Sequence, residues 1–317
     1  KVPIWMISTG KNLGYGSAAP AERGQVVLDL KRMNRILEVD KDLAFALVEP
    51  GVTYQQLYDH IKEHKLGLWL SMPAPSAIAG PVGNTLDRGV GYTPYGEQFL
   101  FACGMEVVLA NGEVLRTGMG SMPNSNTWQV FKWGYGPYLD GIFTQSNYGI
   151  VTKFGFWLMP EPPAFKPFVI QYQHEEDIVE IVETIRPLRI SGVIPNAVVI
   201  AHALYEAPVK AKRSDYVSGP GSIPDEAVYR IMKDHKLGIW NVYAALYGTQ
   251  EQIDVSWNIV TQAFGKSGKA KILTEQEAAE DPAFVYRAKL MRGDMTLTEF
   301  SLYNWRGGGG SMWFAPV

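Results

Sequence analysis

Three prolines within four residues interrupt the chain at Pro160-Glu161-Pro162-Pro163. Proline donates no ladder hydrogen bond, so no interior strand of a sheet runs through this stretch. The sequence changes texture on either side of it. Before it, glycine-rich loops separate short apolar runs; after it, strand and helix patterns alternate. A chain of 317 residues is long enough for two cores. The expectation is two domains, 1–160 and 161–317.

In the first part, Val2 to Ile7 and Val26 to Leu30 read as strands around the loop Ser8-Thr9-Gly10-Lys11-Asn12-Leu13-Gly14-Tyr15-Gly16-Ser17-Ala18-Ala19-Pro20. Its glycines allow positive φ and close approach to a ligand. Successive N–H groups there, with Lys11, suit a phosphate. Taken alone, the loop is better read as an ordinary glycine-rich connection between strands. Ala44 to Val48 reads as a strand and Glu49-Pro50-Gly51 as a turn. Thr53 and Gln56 form a capping box for a helix carrying Leu57 and Ile61. Residues 71–96 hold so many Gly, Pro and small side chains that they are expected to be neither helix nor strand, and long loops are often functional. Asn111-Gly112 marks a hairpin of type I′ between Glu106 and Arg116. Gly149 to Met159 reads as a buried strand.

In the second part, Phe168 to Tyr172, Val198 to Ile200 and Trp240 to Tyr247 read as strands. Glu175 to Thr184, Pro224 to Lys233 and Gln250 to Phe264 read as helices, with a polar loop over 206–222. This is an α+β pattern. Near the end, Leu297 to Trp305 reads as a strand that would set Glu299, Ser301 and Tyr303 on one face, beside four glycines at 307–310. A flexible loop fits that glycine run as well.

Several functions are excluded or unsupported. The net charge is −3 and Lys and Arg are scattered, against nucleic acid or anionic membrane as a main partner. No apolar run reaches the roughly 18 residues of a spanning helix. The single cysteine, Cys103, rules out an internal disulfide and reads as buried packing. His60 and His64 stand four apart, but charged neighbours and the lack of a third ligand make them a solvated face; no metal is expected. His174, His202 and His235 read as structural or surface groups. Neither a Walker motif, nor a dinucleotide fingerprint, nor a nucleophile elbow is found. The aromatic content, 12%, suits a flat ligand or plain packing. Both ends break off in strand-like sequence, so the chain reads as an internal piece of a longer protein.

Four segments together carry a resemblance: Gly10-Lys11-Asn12-Leu13-Gly14-Tyr15-Gly16, Val48-Glu49-Pro50-Gly51-Val52-Thr53, Gly89-Val90-Gly91-Tyr92-Thr93-Pro94-Tyr95-Gly96 and Tyr303-Asn304-Trp305-Arg306-Gly307-Gly308-Gly309-Gly310. Along essentially its whole length the chain resembles the p-cresol methylhydroxylase (PCMH-type) branch of the vanillyl-alcohol oxidase group of FAD enzymes. The resemblance implies a two-domain α+β fold. Residues 1–160 would be the FAD-binding domain without its start. Residues 161–317 would be a substrate or cap domain on an antiparallel sheet, without the return to the FAD domain.

By the same resemblance, Thr9, Gly10, Lys11, Asn12, Leu13 and Gly14 cradle the FAD pyrophosphate. Ser76, Gly80, Gly83, Asn84, Gly89, Gly91, Ile150 and Val151 line the flavin. Tyr303 is bonded through its oxygen to the 8α position of FAD. Tyr15 holds the substrate phenol oxygen and Glu299 acts as base. The implied substrate is a 4-alkylphenol, which loses a hydride to the flavin, becomes a quinone methide and adds water. Oxidases of the group carry an aspartate near the reactive flavin nitrogen; Ser71, Ala74 and Pro75 offer no acid, which favours the branch passing electrons to a c-type cytochrome subunit. The glycine run and Trp313 would face that partner. A homodimer and a bacterial periplasmic location are implied as well. An oxygen-reducing oxidase and a noncatalytic FAD-fold fragment are the competing readings. The piece alone is expected to lack a complete site and to bind FAD weakly or not at all.

Overall fold

The computed structural model describes residues 2–11, 18–73 and 77–305, apart from the side chains of Glu299, Phe300 and Tyr303. Two compact units emerge: Lys1–Glu161 with Gly293–Met295, and Pro162–Arg292 with Thr296–Val317.

In the first unit, β1 (Ile4–Ile7) and β2 (Val26–Asp29) pair in parallel. A five-stranded antiparallel sheet follows. It contains β3 (Ile36–Asp40), β4 (Phe45–Val48), and later β6 (Ala102–Leu109), β7 (Val114–Arg116) and β8 (Gly149–Trp157), in the order β3-β4-β8-β6-β7. All four residues of β4 are buried, as an inner strand covered on both faces requires. The helix α1 (Tyr54–Glu63) starts at the capping box expected of Thr53 and Gln56 and buries Tyr54, Leu57 and Ile61. The two-residue strands β5 (Leu68–Trp69) and β9 (Met159–Pro160) pair at the end of the unit, where a proline is tolerated. Cys103 lies on β6, fully buried, its Sγ 3.5 Å from the Trp128 carbonyl oxygen.

The second unit opens with β10 (Ala164–Tyr172) and α3 (Ile178–Ile190). Next come β11 (Val199–His202), α4 (Ala203–Lys210), α5 (Asp225–His235), β12 (Trp240–Gly248) and α6 (Gln250–Gly265). It closes with β13 (Lys271–Ile272), α7 (Glu275–Ala279) and α8 (Pro282–Met291). Its sheet is antiparallel, ordered β11-β12-β10-β13. The period of two sorts its faces. Phe168, Ile170, Tyr172, Val242, Ala244 and Leu246 pack with Ile181, Ile185, Ile253 and Phe264 from α3 and α6. Gln171, Asn241 and Tyr243 belong to the alternate set, and α8 packs on β10 and β12. Among the described residues, no helix is long and apolar enough to cross a membrane.

Four local expectations are corrected. Residues 71–96 are not wholly irregular: α2 (Pro81–Leu86) forms there, because Pro81 suits the first helical position. The Asn111-Gly112 hairpin exists, but only Gly112 has positive φ (+88°). The Gly112 N–H donates to the Leu109 carbonyl, giving a type I turn followed by a left-handed glycine and not type I′. The start of 206–222 is helical, since α4 runs to Lys210 and buries Glu206. Thr298–Tyr303 is a 3-10 helix and not a strand, so the two-residue alternation does not apply to Glu299, Ser301 and Tyr303.

Candidate cofactor site

β1 delivers the chain into Ser8-Thr9-Gly10, where Gly10 takes φ +64°. Against this turn lies the N-terminus of α2. A Cβ on Gly80 would stand 2.9 Å from Thr9 Cγ2 and 3.1 Å from the Val52 carbonyl oxygen. A Cβ on Gly83 would overlap Ser8 Oγ. These two glycines let the helix end sit directly against the Ser8 and Thr9 side chains and the Val52 carbonyl. The Glu49-Pro50-Gly51 turn completes the group. Its Glu49 carboxylate is buried and takes three hydrogen bonds from Arg35, two from the guanidinium (2.7 and 3.0 Å) and one from the backbone N–H (2.9 Å). Those bonds hold its pKa below the usual carboxylate range.

The start of α2 is unusually poor in caps. Gly80 has no side chain to cap with, and Pro81 has no N–H. The first-turn N–H groups of Val82 and Gly83 lie beyond the reach of intrahelical bonding. With the Ser8–Gly10 turn and exposed Lys11, they bring backbone donors and one cation to a single corner. A dinucleotide pyrophosphate fits this donor set. FAD bound here would be held by Thr9, Gly10, Lys11 and the α2 N-terminus.

Behind the corner sits a buried polar network absent from the sequence reading. Gln98 Oε1 accepts from Tyr54 Oη (2.9 Å), Asn84 Nδ2 (2.6 Å) and Thr85 Oγ1 (3.2 Å). Gln98 Nε2 donates to the Ser71 carbonyl (2.8 Å). Burial pushes the Tyr54 phenol well above its usual pKa, so it stays a neutral donor. The network ties α1, α2 and the Ser71 segment to one amide. Only the isolated Gln in Gln98-Phe99-Leu100-Phe101 hinted at it. Ser71 Oγ is buried with no hydrogen-bond partner among the described residues. It lines a crevice with Tyr95, Phe101 and Trp157, and the Tyr95 and Phe101 rings stack at 3.9 Å.

The expected site residues separate into groups. Thr9 meets Gly80 and Ser8 meets Gly83 at the corner, while Gly10, next in the turn, packs against Ile7 and Ala18. Asn84 donates its amide to Gln98, and its side chain fills the space that a Cβ on Gly89 would need. Gly91 is pressed against Ser71 and Met72. Ile150 and Val151 sit on β8 opposite Val108 and Val107. The segment before them is fixed to the far end of α2: the Gln145 N–H donates to Leu86 O (2.9 Å) and the Arg88 guanidinium to Thr144 Oγ1 (3.1 Å). Asn12, Leu13, Gly14, Tyr15 and Ser76 lie outside the described residues, as do the glycine run and Trp313. His60 and His64 are ring neighbours at 4.3 Å, and among the described residues no cluster of three or more metal-ligating side chains occurs.

Glu299 and Tyr303 belong to the second unit, on the 3-10 helix Thr298–Tyr303. That helix packs on α4; Leu302 is buried, and Trp305 Nε1 donates to Ala211 O at the end of α4 (2.7 Å). α4 is joined to α8 by the Arg287–Glu206 pair (2.6 Å) and to Asp281, the N-cap of α8, by Lys210 (2.7 Å). All four of these side chains are buried. Arg287 also stacks over the rings of Tyr243 and Tyr286 at 4.5 and 4.7 Å.

Residues 1–118 match the model of an FAD-binding domain. The chain is 64% identical, over its whole length, to the 4-cresol dehydrogenase [hydroxylating] flavoprotein subunit of Pseudomonas putida, of which it covers 61%. Its structure superposes on p-cresol methylhydroxylase solved with substrate bound, with a TM-score of 0.95 and 63% identity. That match covers 98% of this chain and 60% of the other. A 4-ethylphenol oxidase from Gulosibacter chungangensis, solved with isoeugenol, matches at a TM-score of 0.92 and 38% identity, over 96% of this chain and 60% of its own. The chain thus spans about three fifths of the length of these relatives.

Proposed function

The chain belongs to the p-cresol methylhydroxylase family of FAD flavoproteins, and from this premise we propose that the protein oxidises the benzylic carbon of 4-alkylphenols. The observation that carries the proposal is the 64% identity over the whole of this chain. When bound, FAD supplies the hydride acceptor. The chain's own residues do the rest. The Ser8–Lys11 turn and the start of α2 hold the pyrophosphate. Tyr15 donates a hydrogen bond to the substrate oxygen and so favours the phenolate, which lowers the barrier to losing a benzylic hydride. Loss of that hydride leaves a quinone methide. Glu299 takes a proton from water as the water oxygen bonds to the benzylic carbon, giving a 4-hydroxybenzyl alcohol. Tyr303 anchors the cofactor through its phenolic oxygen.

The reading includes a c-type cytochrome as electron acceptor, a flavoprotein homodimer and a periplasmic location. A second reading, electron transfer to oxygen, draws on the likeness to the 4-ethylphenol oxidase. The deciding experiment is anaerobic titration of the full-length flavoprotein with p-cresol, followed by either air or cytochrome c. Bleaching of the flavin by p-cresol and reoxidation by cytochrome alone is the expected result. Rapid reoxidation by air favours the oxidase, and no bleaching at all sinks both. Tyr303→Phe is expected to lose the denaturation-resistant flavin.

A further inference from the structure

The 3-10 helix that carries Glu299 and Tyr303 is a weak element by itself. It spans six residues and has no side-chain cap, and 3-10 hydrogen bonds are poorly aligned. Its position therefore depends on what it leans on, and that is α4. Yet α4 is scarcely stronger. It has eight residues, with Pro208 inside, which removes one hydrogen bond and crowds the preceding turn. Apolar packing of Ala203 and Ala207 seats α4 on α5, and buried charge ties it to α8. Glu206 is fully buried and meets Arg287 on α8 from 81 positions away, at 2.6 Å.

That pair is badly suited to mere stabilisation. Glu206 Oε1 and the Tyr243 hydroxyl are both buried with no hydrogen-bond partner among the described residues. A buried pair with unmet polar atoms is commonly replaceable by apolar side chains at no loss of stability. Its distinctive property is that a short, charge-assisted contact defines a single register where an apolar contact tolerates sliding.

We infer that Glu206 and Arg287 are positioning residues for the Glu299 and Tyr303 segment. The pair locks α4 against α8, and α4, through buried Leu302 and the Trp305–Ala211 bond, sets the 3-10 helix. The inference rests on the reading of Tyr303 as the flavin-bonding residue and Glu299 as the base, and deepens it.

The test uses the full-length flavoprotein with two variants, Glu206→Leu/Arg287→Met and Glu206→Gln. Each is measured for unfolding midpoint, amide exchange over 298–305, the rate at which added FAD becomes denaturation-resistant, and kcat and KM for p-cresol. The paired apolar variant is expected to unfold at the wild-type midpoint while exchange over 298–305 rises at least tenfold. Covalent attachment should slow at least tenfold, and kcat should fall with KM nearly unchanged. Glu206→Gln should show the same pattern of exchange and attachment. Wild-type exchange and attachment in either folded variant overturns the inference. Retention of denaturation-resistant flavin by Tyr303→Phe overturns the underlying reading instead, and the exchange measurement still decides whether the pair positions the segment.

Discussion

Around Gly10, Gly80, Gly83 and Gly91 the first unit makes its surface by leaving side chains out, whereas the α4–α8 contact of the second unit is made by burying long charged ones. The first strategy lets the backbone come up against its neighbours with no side chain between. The second spends ionic groups on one another and gives direction to elements that are short. The two therefore fail differently: an added methyl jams the first, and a removed charge strands its partner in the second.

The largest effect expected is at the charged contact. Arg287→Ala leaves Glu206 buried without its cation and should cost about 3–5 kcal/mol in denaturant unfolding, while the apolar pair Glu206→Leu/Arg287→Met should stay near the wild type. In the first unit, Gly91→Ala sets a Cβ against the backbone of Ser71 and Met72, which cannot step aside, and should cost about 2–3 kcal/mol with loss of flavin binding. Gly83→Ala meets only the Ser8 side chain first, so about 1 kcal/mol is expected, recovered by Ser8→Ala in the same chain. That recovery has no counterpart at Gly91, and finding one would mean the wall is softer than its geometry. Gln98→Ala strands the Tyr54, Asn84 and Thr85 donors together, and a loss of about 1 kcal/mol or more should appear in the unfolding of the first unit.

The smallest effect is pH-dependent. The Arg35 hydrogen bonds depress the Glu49 pKa in the folded state. Their contribution is therefore complete above the unfolded carboxylate pKa, about 4.3, and is lost as pH falls through the lower folded value. Glu49→Gln should flatten the acid limb of a stability profile and change little at neutral pH beyond roughly 1 kcal/mol. An unchanged acid limb would detach Glu49 from the comparison.

What could be read without coordinates was local. Thr53 and Gln56 announce α1 because a capping box closes within four residues. Asn111-Gly112 announces a reversal, but the turn type depends on the register of Val108 against Val114, which the dipeptide does not specify. Leu297 to Tyr303 alternates well enough to pass for a strand; contact with α4 selects a 3-10 helix instead. Glu206 and Lys210 look like solvated charge in a polar stretch until Arg287 and Asp281 arrive from far along the chain. The glycines of the corner were visible as glycines. Their partners, Ser8 and Thr9 against Gly83 and Gly80, and the Gln98 amide behind them, exist only once the chain is folded.

Cys103 turns the first unit into its own reporter. It is the sole thiol of the chain, sealed within β6, and burial with the nearby Asp140 carboxyl pushes its pKa up to about 12. Thiolate is the reactive form, so an alkylating reagent finds almost nothing to attack while the sheet is closed. Each molecule that does react has opened, and the labelling rate becomes a clock for the breathing of that sheet. Run with and without FAD, the same clock measures how much the cofactor steadies the walls that hold it.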